Sequence, residues 1–415
     1  MPLNNRISPG SKNWIAKYFE LADNEIISLT LNENNDDLED LLELVSSKTG
    51  LVFGVANTFI FTNHLNNENY TSDESIKLLL FESLILAYLQ RSREEFNKDA
   101  FIQSLCQFYK IWKDGGWVDK WLKGNQTHEL EKILSMRVKV NTSIFGTNYW
   151  INHLSNALLF LDVLLFIEFL EGKSFSYREK RDKYAFSVLT GIVAAALADG
   201  LIDPKEQKII DHLLASADLP RKFEQELERY MNKTNTLGTF DFENKQLAKI
   251  TFKLALFLTE GNTFNVEEKE ERTQLLGNQF KLSSLEIEEC RLICDAFIFD
   301  SNVQLNQIKE DNQIKLVYKG FSNRWIRILG RNKEKFVNEL NESKELLALI
   351  KKSTQQELSK EEKEKVKTQF MDVLKSVPSI GIFLLPGGAI LLPLILKIVP
   401  DLMPSAFKEN EIKKK

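Results

Sequence analysis

Residues 74–89 read ESIKLLLFESLILAYL, and this stretch decides the fold class. Ile76, Leu79, Leu80, Leu84, Ala87 and Tyr88 fall on a stripe of period 3.6, while Leu78, Phe81, Ile85, Leu86 and Leu89 widen it beyond one face. An amphipathic helix buries one stripe; a stripe this wide predicts a helix at the centre of a bundle. Working outward, proline is missing between Pro9 and Pro204 and again between Pro220 and Pro378, and the chain holds 18 glycines. Strands and turns are punctuated by these two residues, and no comparable alternating run occurs, so the reading is all-α, a multi-domain helical protein.

The 415 residues are 27% charged and 43% hydrophobic, an ordinary globular composition with room for several cores. A net charge of −5 offers no broad basic surface for phosphates, which argues against nucleic acid as a direct partner. Cys106, Cys290 and Cys294 have no framework spacing, and the start MPLNNRISPGSKNW lacks a signal-peptide pattern, so residence inside the cell is expected. Cys290 and Cys294, four apart on one helix face with no CxxC partner, read as core thiols. Trp112, Trp117 and Trp121 read as packing for a turn between helices. Four scattered histidines, with no phosphate loop, nucleophile elbow or HExxH, assemble no catalytic constellation, and the expectation is a non-enzyme.

Organisation tracks composition. Residues 1–178 read as an N-terminal helical domain closing in an apolar helix near 148–171. Its acids, Asp162 and Glu168, interrupt ALLFLDVLLFIEFL, and a buried helix with those acids paired or at its edge is expected over a membrane span. Residues 179–300 form a second helical unit. Residues 301–369 form a charged amphipathic helical arm rich in Lys and Glu, suited to helix pairing and self-association. Residues 370–407 are an apolar segment, and 408–415 a basic tail.

The apolar stretch 377–399, VPSIGIFLLPGGAILLPLILKIV, carries a single charge, Lys397. As a helix it would extend about 34 Å, enough to cross a bilayer. Pro378, Pro386 and Pro393 each remove a backbone hydrogen bond, so a kinked span or a re-entrant hairpin turning at Pro386, Gly387 and Gly388 is expected, with membrane lipid as the partner. A buried hairpin in a soluble scaffold is the alternative.

With Asp372, Val377, Leu392, Lys397, Pro400, Leu402, Pro404, Ser405 and Phe407, this punctuation resembles the leucine-zipper and EF-hand containing transmembrane (Letm) family of the mitochondrial inner membrane and its bacterial relatives, over about 371–407. The resemblance implies a membrane segment, cation/proton exchange, membrane organisation and ribosome attachment. It places the family's ribosome-binding domain mainly beyond Phe407, where residues 408–415 remain, and Ala389 stands where the family usually has an acid. In size and layout the chain resembles a bacterial Letm-related, biofilm-associated group, which implies the cytoplasmic face of an inner membrane.

In the second unit, Ala198 to Glu206 (ADGLIDPKE) comes after the small-residue helix FSVLTGIVAAAL, and a weaker copy runs from Thr259 through Asn265 to Glu268. Helix capping accounts for most of it: Gly200 ends one helix, Asp203 caps the next, Pro204 enters its first turn and Glu206 closes the box, as Asn265 and Glu268 do in the copy. Asp199 and Glu260 are left over, since an acid at a helix C-terminus opposes the dipole. If the loops face each other, Asp199, Asp203, Glu206, Glu260 and Glu268 converge as oxygen ligands for Ca²⁺ or Mg²⁺. The duplication resembles the all-helical TerB-like domain of tellurite-resistance proteins over about 184–298, and that resemblance implies the same metal role.

Overall fold

The computed structural model describes residues 6–30, 42, 45, 49–65, 70–92, 96–112, 126–138, 154–173, 176–197, 202, 204–231, 240–260, 266–304, 338, 340–353, 356 and 358–375. Among these every regular element is helical. The chain divides into two compact units, 1–284 and 285–415.

The first unit contains α1 (Trp14–Asp23), α2 (Ser72–Ser92), α3 (Lys98–Trp112), α4 (Gln126–Val138), α5 (Phe160–Leu170), α6 (Tyr177–Ala196), α7 (Pro204–Ala217), α8 (Arg221–Met231), α9 (Lys245–Glu260) and α10 (Val266–Gln279). A 3-10 turn, Leu154–Leu159, leads into α5. The predicted central helix is α2. Ile76, Leu78 to Phe81, Leu84 to Ala87 and Leu89 are all buried, as are Glu82 and Ser83, and α2 packs on α4 and α5. Thr71 and Glu74 start it with reciprocal bonds: the Thr71 amide donates to Glu74 Oε2 at 2.9 Å and the Glu74 amide to Thr71 Oγ1 at 3.2 Å.

Phe81 stands at the hub of an aromatic cluster, edge-on to Trp14 at 5.1 Å, Tyr18 at 5.3 Å, Phe101 at 5.8 Å and Phe19 at 5.9 Å. Glu131 on α4 closes the amino end of α1 from 116 residues away, accepting the Ile15 amide at 3.1 Å and the Asn13 amide at 3.0 Å. Further on, α6 packs on α7, α8 and α9. The small residues of FSVLTGIVAAAL permit a close approach: a Cβ on Gly191 would lie 2.6 Å from Thr251 Cγ2 of α9.

The apolar element expected near 148–171 resolves into the 3-10 turn and the eleven residues of α5, with 148–153 outside the described residues. At about 1.5 Å per residue α5 is about 16 Å long, half a bilayer core. Among the described residues no helix is long and apolar enough to cross a membrane.

The second unit holds α11 (Ser284–Gln304, its first residue belonging to the first unit), α12 (Lys344–Ser353) and α13 (Lys360–Lys375). Cys290 and Cys294 are buried thiols on α11 that form no disulfide, in keeping with their reading as core thiols. The Lys/Glu-rich arm does not run on as one helix where it is described: α12 and α13 fold back on each other, and α13 continues past 369 to Lys375.

Candidate functional site

Three places in the chain have the residues for a function: the acidic loops, the acids of α5, and the C-terminal segment with the hairpin that leads into it. The helices around the acidic loops begin where the capping pattern puts them, α7 at Pro204 and α10 at Val266, and α9 ends at Glu260. Glu206 is buried in the first turn of α7. Asp199 and Asp203 lie outside the described residues, as do the side chains of Glu260 and Glu268. Among the described residues no group of three or more His, Cys, Asp or Glu side chains is arranged to hold a metal ion.

The acids of α5 are paired. Asp162 is fully buried, and the Arg137 guanidinium of α4 grips it from both sides, Nε to Oδ2 at 2.6 Å and Nη2 to Oδ1 at 2.7 Å. Tyr109 of α3 donates to Oδ2 and Tyr177 of α6 to Oδ1, each at 3.1 Å. Arg181, also of α6, stands 3.8 Å from Oδ1 and donates to the last carbonyls of α7, Ala217 at 2.6 Å and Ser216 at 3.2 Å. Two guanidinium charges thus meet one carboxylate, and the negative end of α7 offsets the second. Burial pushes the Asp162 carboxyl up, but the charge and hydrogen bonds of Arg137, then the charge of Arg181, hold it below the usual carboxylate range. Burial likewise pushes the Tyr109 and Tyr177 hydroxyls well up, so both remain donors.

Glu168, two turns on, accepts from Tyr184 Oη at 2.8 Å and pairs with Lys180 at 2.6 Å; Lys180 also reaches Glu243 at 2.9 Å. These bonds tie α5 to α6 across residue 178. A cation relay through α5 would need carboxylates open to exchange, and both are committed to pairs inside a short, buried helix. Sequence reasoning left pairing and an edge position open and named neither Arg137 nor Arg181, because partners on other helices leave no local spacing to detect.

At the C-terminal end, Leu346 and Ile350 of α12 face Val366, Phe370 and Val373 of α13, with Leu358 buried at the turn. The hairpin is antiparallel by its cross-links: Lys352 pairs with Glu362 at 2.5 Å at the turn end, while Glu345 meets Lys365 at 3.4 Å and Gln369 at the open end. Ser359 and Glu362 form a capping box at the start of α13, the Glu362 amide donating to Ser359 Oγ at 3.2 Å and the Ser359 amide to Glu362 Oε2 at 3.0 Å. Lys352, then the Ser359 amide, holds the Glu362 carboxyl below its usual range. Replacing Ser359 by alanine is expected to cost about 1 kcal/mol, read as a lower urea midpoint for the second unit's far-ultraviolet signal. Pro378, Pro386, Gly387, Gly388, Pro393, Lys397, Pro400 and Pro404 lie outside the described residues, as do Trp117, Trp121 and the Trp112 side chain.

Comparison with known proteins bears on this end of the chain. A family model described as LETM1-like, RBD, the ribosome-binding domain of the Letm family, matches residues 358–415. No curated protein and no solved structure matches the chain. The match supports the Letm likeness, and it runs from the turn before α13 to residue 415, so it covers residues upstream of Phe407 as well as those beyond it. The TerB-like and biofilm-associated likenesses receive no match.

Proposed function

We propose that this chain is a non-enzymatic, membrane-associated docking protein of Letm type, attached through residues 358–415 to the cytoplasmic face of a bacterial inner membrane. The observation behind it is the match of that region to the Letm ribosome-binding model, which begins at the capping box of α13. Around it, the hairpin supplies a folded base from which the apolar segment departs. The lysines after that segment, Lys408 and Lys413 to Lys415, suit anionic headgroups. The helical unit before it serves as a sensing or docking module; a TerB-like role for 184–298, with Ca²⁺ or Mg²⁺ between the acidic loops, belongs to this reading.

Alkaline carbonate extraction of native membranes tests the attachment by comparing the full chain with a truncation after Phe370. The full chain is expected to stay with the membrane and the truncation to wash out. Release of both would overturn the reading and leave a soluble scaffold.

A second reading is favoured by the description of the matched model: the same region docks on the ribosome. Cosedimentation of the purified full chain with ribosomes through a sucrose cushion, lost in the same truncation, is the expected result. Equal cosedimentation of both chains would remove the region from that contact.

A further inference from the structure

Residues 49–57 close on themselves. The Phe53 amide donates to Gly50 O at 3.0 Å, Gly54 to Leu51 O at 3.0 Å, Val55 to Gly50 O at 3.2 Å and Asn57 to Thr49 O at 2.9 Å. Gly50 and Gly54 hold φ of 86° and 72°, the left-handed region, and a Cβ on Gly50 would lie 2.8 Å from Val55 Cγ2. Between the two glycines stands a single 3-10 turn, Leu51–Phe53, and all three of its apolar side chains are without solvent exposure. Connecting segments ordinarily run over the surface; this one carries its side chains into the core.

Its neighbours come from both sides of residue 178. The turn packs on α2, on the 154–159 turn and on α9. The 154–159 turn packs in its own right on α7, where Ser155 Oγ lies 3.0 Å from His212 Nδ1 and the Leu158 amide donates to Ser216 Oγ at 3.1 Å. α9 lies along α6, with Leu247, Ile250, Phe252, Leu254 and Ala255 buried. Asp162 and Glu168 reach only the first two turns of α6, through Tyr177, Lys180, Arg181 and Tyr184. Among the described elements, the 51–53 turn is the principal contact of α9 with the helices of the N-terminal region.

We propose that the 51–53 turn is a keystone: it joins the helices before residue 178 and those of 179–284 into one cooperative unit, so that α2 and α9 keep or lose their structure together. The physical reason is shared burial. A side chain removed from the turn leaves a cavity bounded by α2, the 154–159 turn and α9 at once, and close-packed interiors pass such a loss on to every wall of the cavity. The self-closed backbone keeps the turn from collapsing into the space. In consequence 179–284 is not a module separable from the N-terminal helices, and a contact made by either set is felt by the other.

Amide hydrogen exchange on the full chain tests this, because the slowest amides of a cooperative unit exchange through one common opening. Val52→Ala removes two methyl groups and is expected to raise exchange about tenfold at the core amides of α2, Leu79 to Leu84. The same factor is expected at those of α9, Ile250 to Leu254. Phe53→Ala is expected to raise both about a hundredfold or more, and Val52→Ala serves alone should that variant not fold. Unequal rises in the two sets, up to a rise confined to α2 as separate domains would give, overturn the proposal, and so does no rise in either.

Discussion

Replacing Arg137 by methionine is expected to lower the free energy of unfolding by about 3–5 kcal/mol, because it strips a buried carboxylate of its bidentate partner. Methionine keeps the length of the stem and removes the fork. Asp162 would retain Tyr109, Tyr177 and an Arg181 guanidinium 3.8 Å away whose Nη atoms are already committed to Ser216 and Ala217. The pH dependence carries a second signature. In the wild type the folded carboxyl lies below its unfolded value, so the pair's stabilisation is present above the unfolded value and is lost as pH falls through the folded one. In the variant burial prevails, the folded carboxyl rises, and stability falls as pH rises through the unfolded value. Urea titrations at pH 4 and pH 7 check both, and a loss under about 1 kcal/mol at pH 7 would show that the pair is dispensable.

Phe81→Ala is the other large effect expected, about 3–5 kcal/mol, from the transfer of a buried ring and the cavity left among four aromatic neighbours. The ring is fully buried and meets Trp14, Tyr18, Phe19 and Phe101 edge-on. Phe81→Leu, which keeps most of the volume, is expected to cost about half as much. Denaturant unfolding tracked by the near-ultraviolet signal of the aromatic core measures both, and equal costs would mean that retained volume recovers nothing and the ring contacts carry the whole effect.

Local pattern made the helices legible. The width of the 74–89 stripe announced a helix buried on all sides, and Pro204 and Val266 open helices where Asp203 and Asn265 were read as caps. The run of small residues before Ala198 packs closely, as seen where Gly191 lets α9 approach. Partner choice was not legible. Asp162 declared itself as an acid in an apolar run, but Arg137 and Arg181 sit in ordinary helical sequence, and only the packing of α4 and α6 beside α5 selects them. Glu131 and Glu82 were hidden for the same reason: a glutamate in a helix looks solvated until a loop or another helix end covers it. The arm's fold-back was equally silent, since an apolar stripe pairs as well with another chain as with its own continuation.

The antiparallel order of α12 and α13 has a mechanical consequence. The chain enters the hairpin at Lys344 and leaves it at Lys375, at the same end. Tension between the apolar segment beyond Lys375 and the body of the protein therefore peels the helices apart rather than sliding one along the other. Glu345 lets go of Lys365 and Gln369 first, and Lys352 and Glu362 part last. Contacts broken one after another yield at lower force than contacts sheared together, so the hairpin is expected to lengthen under a pull applied at its two ends.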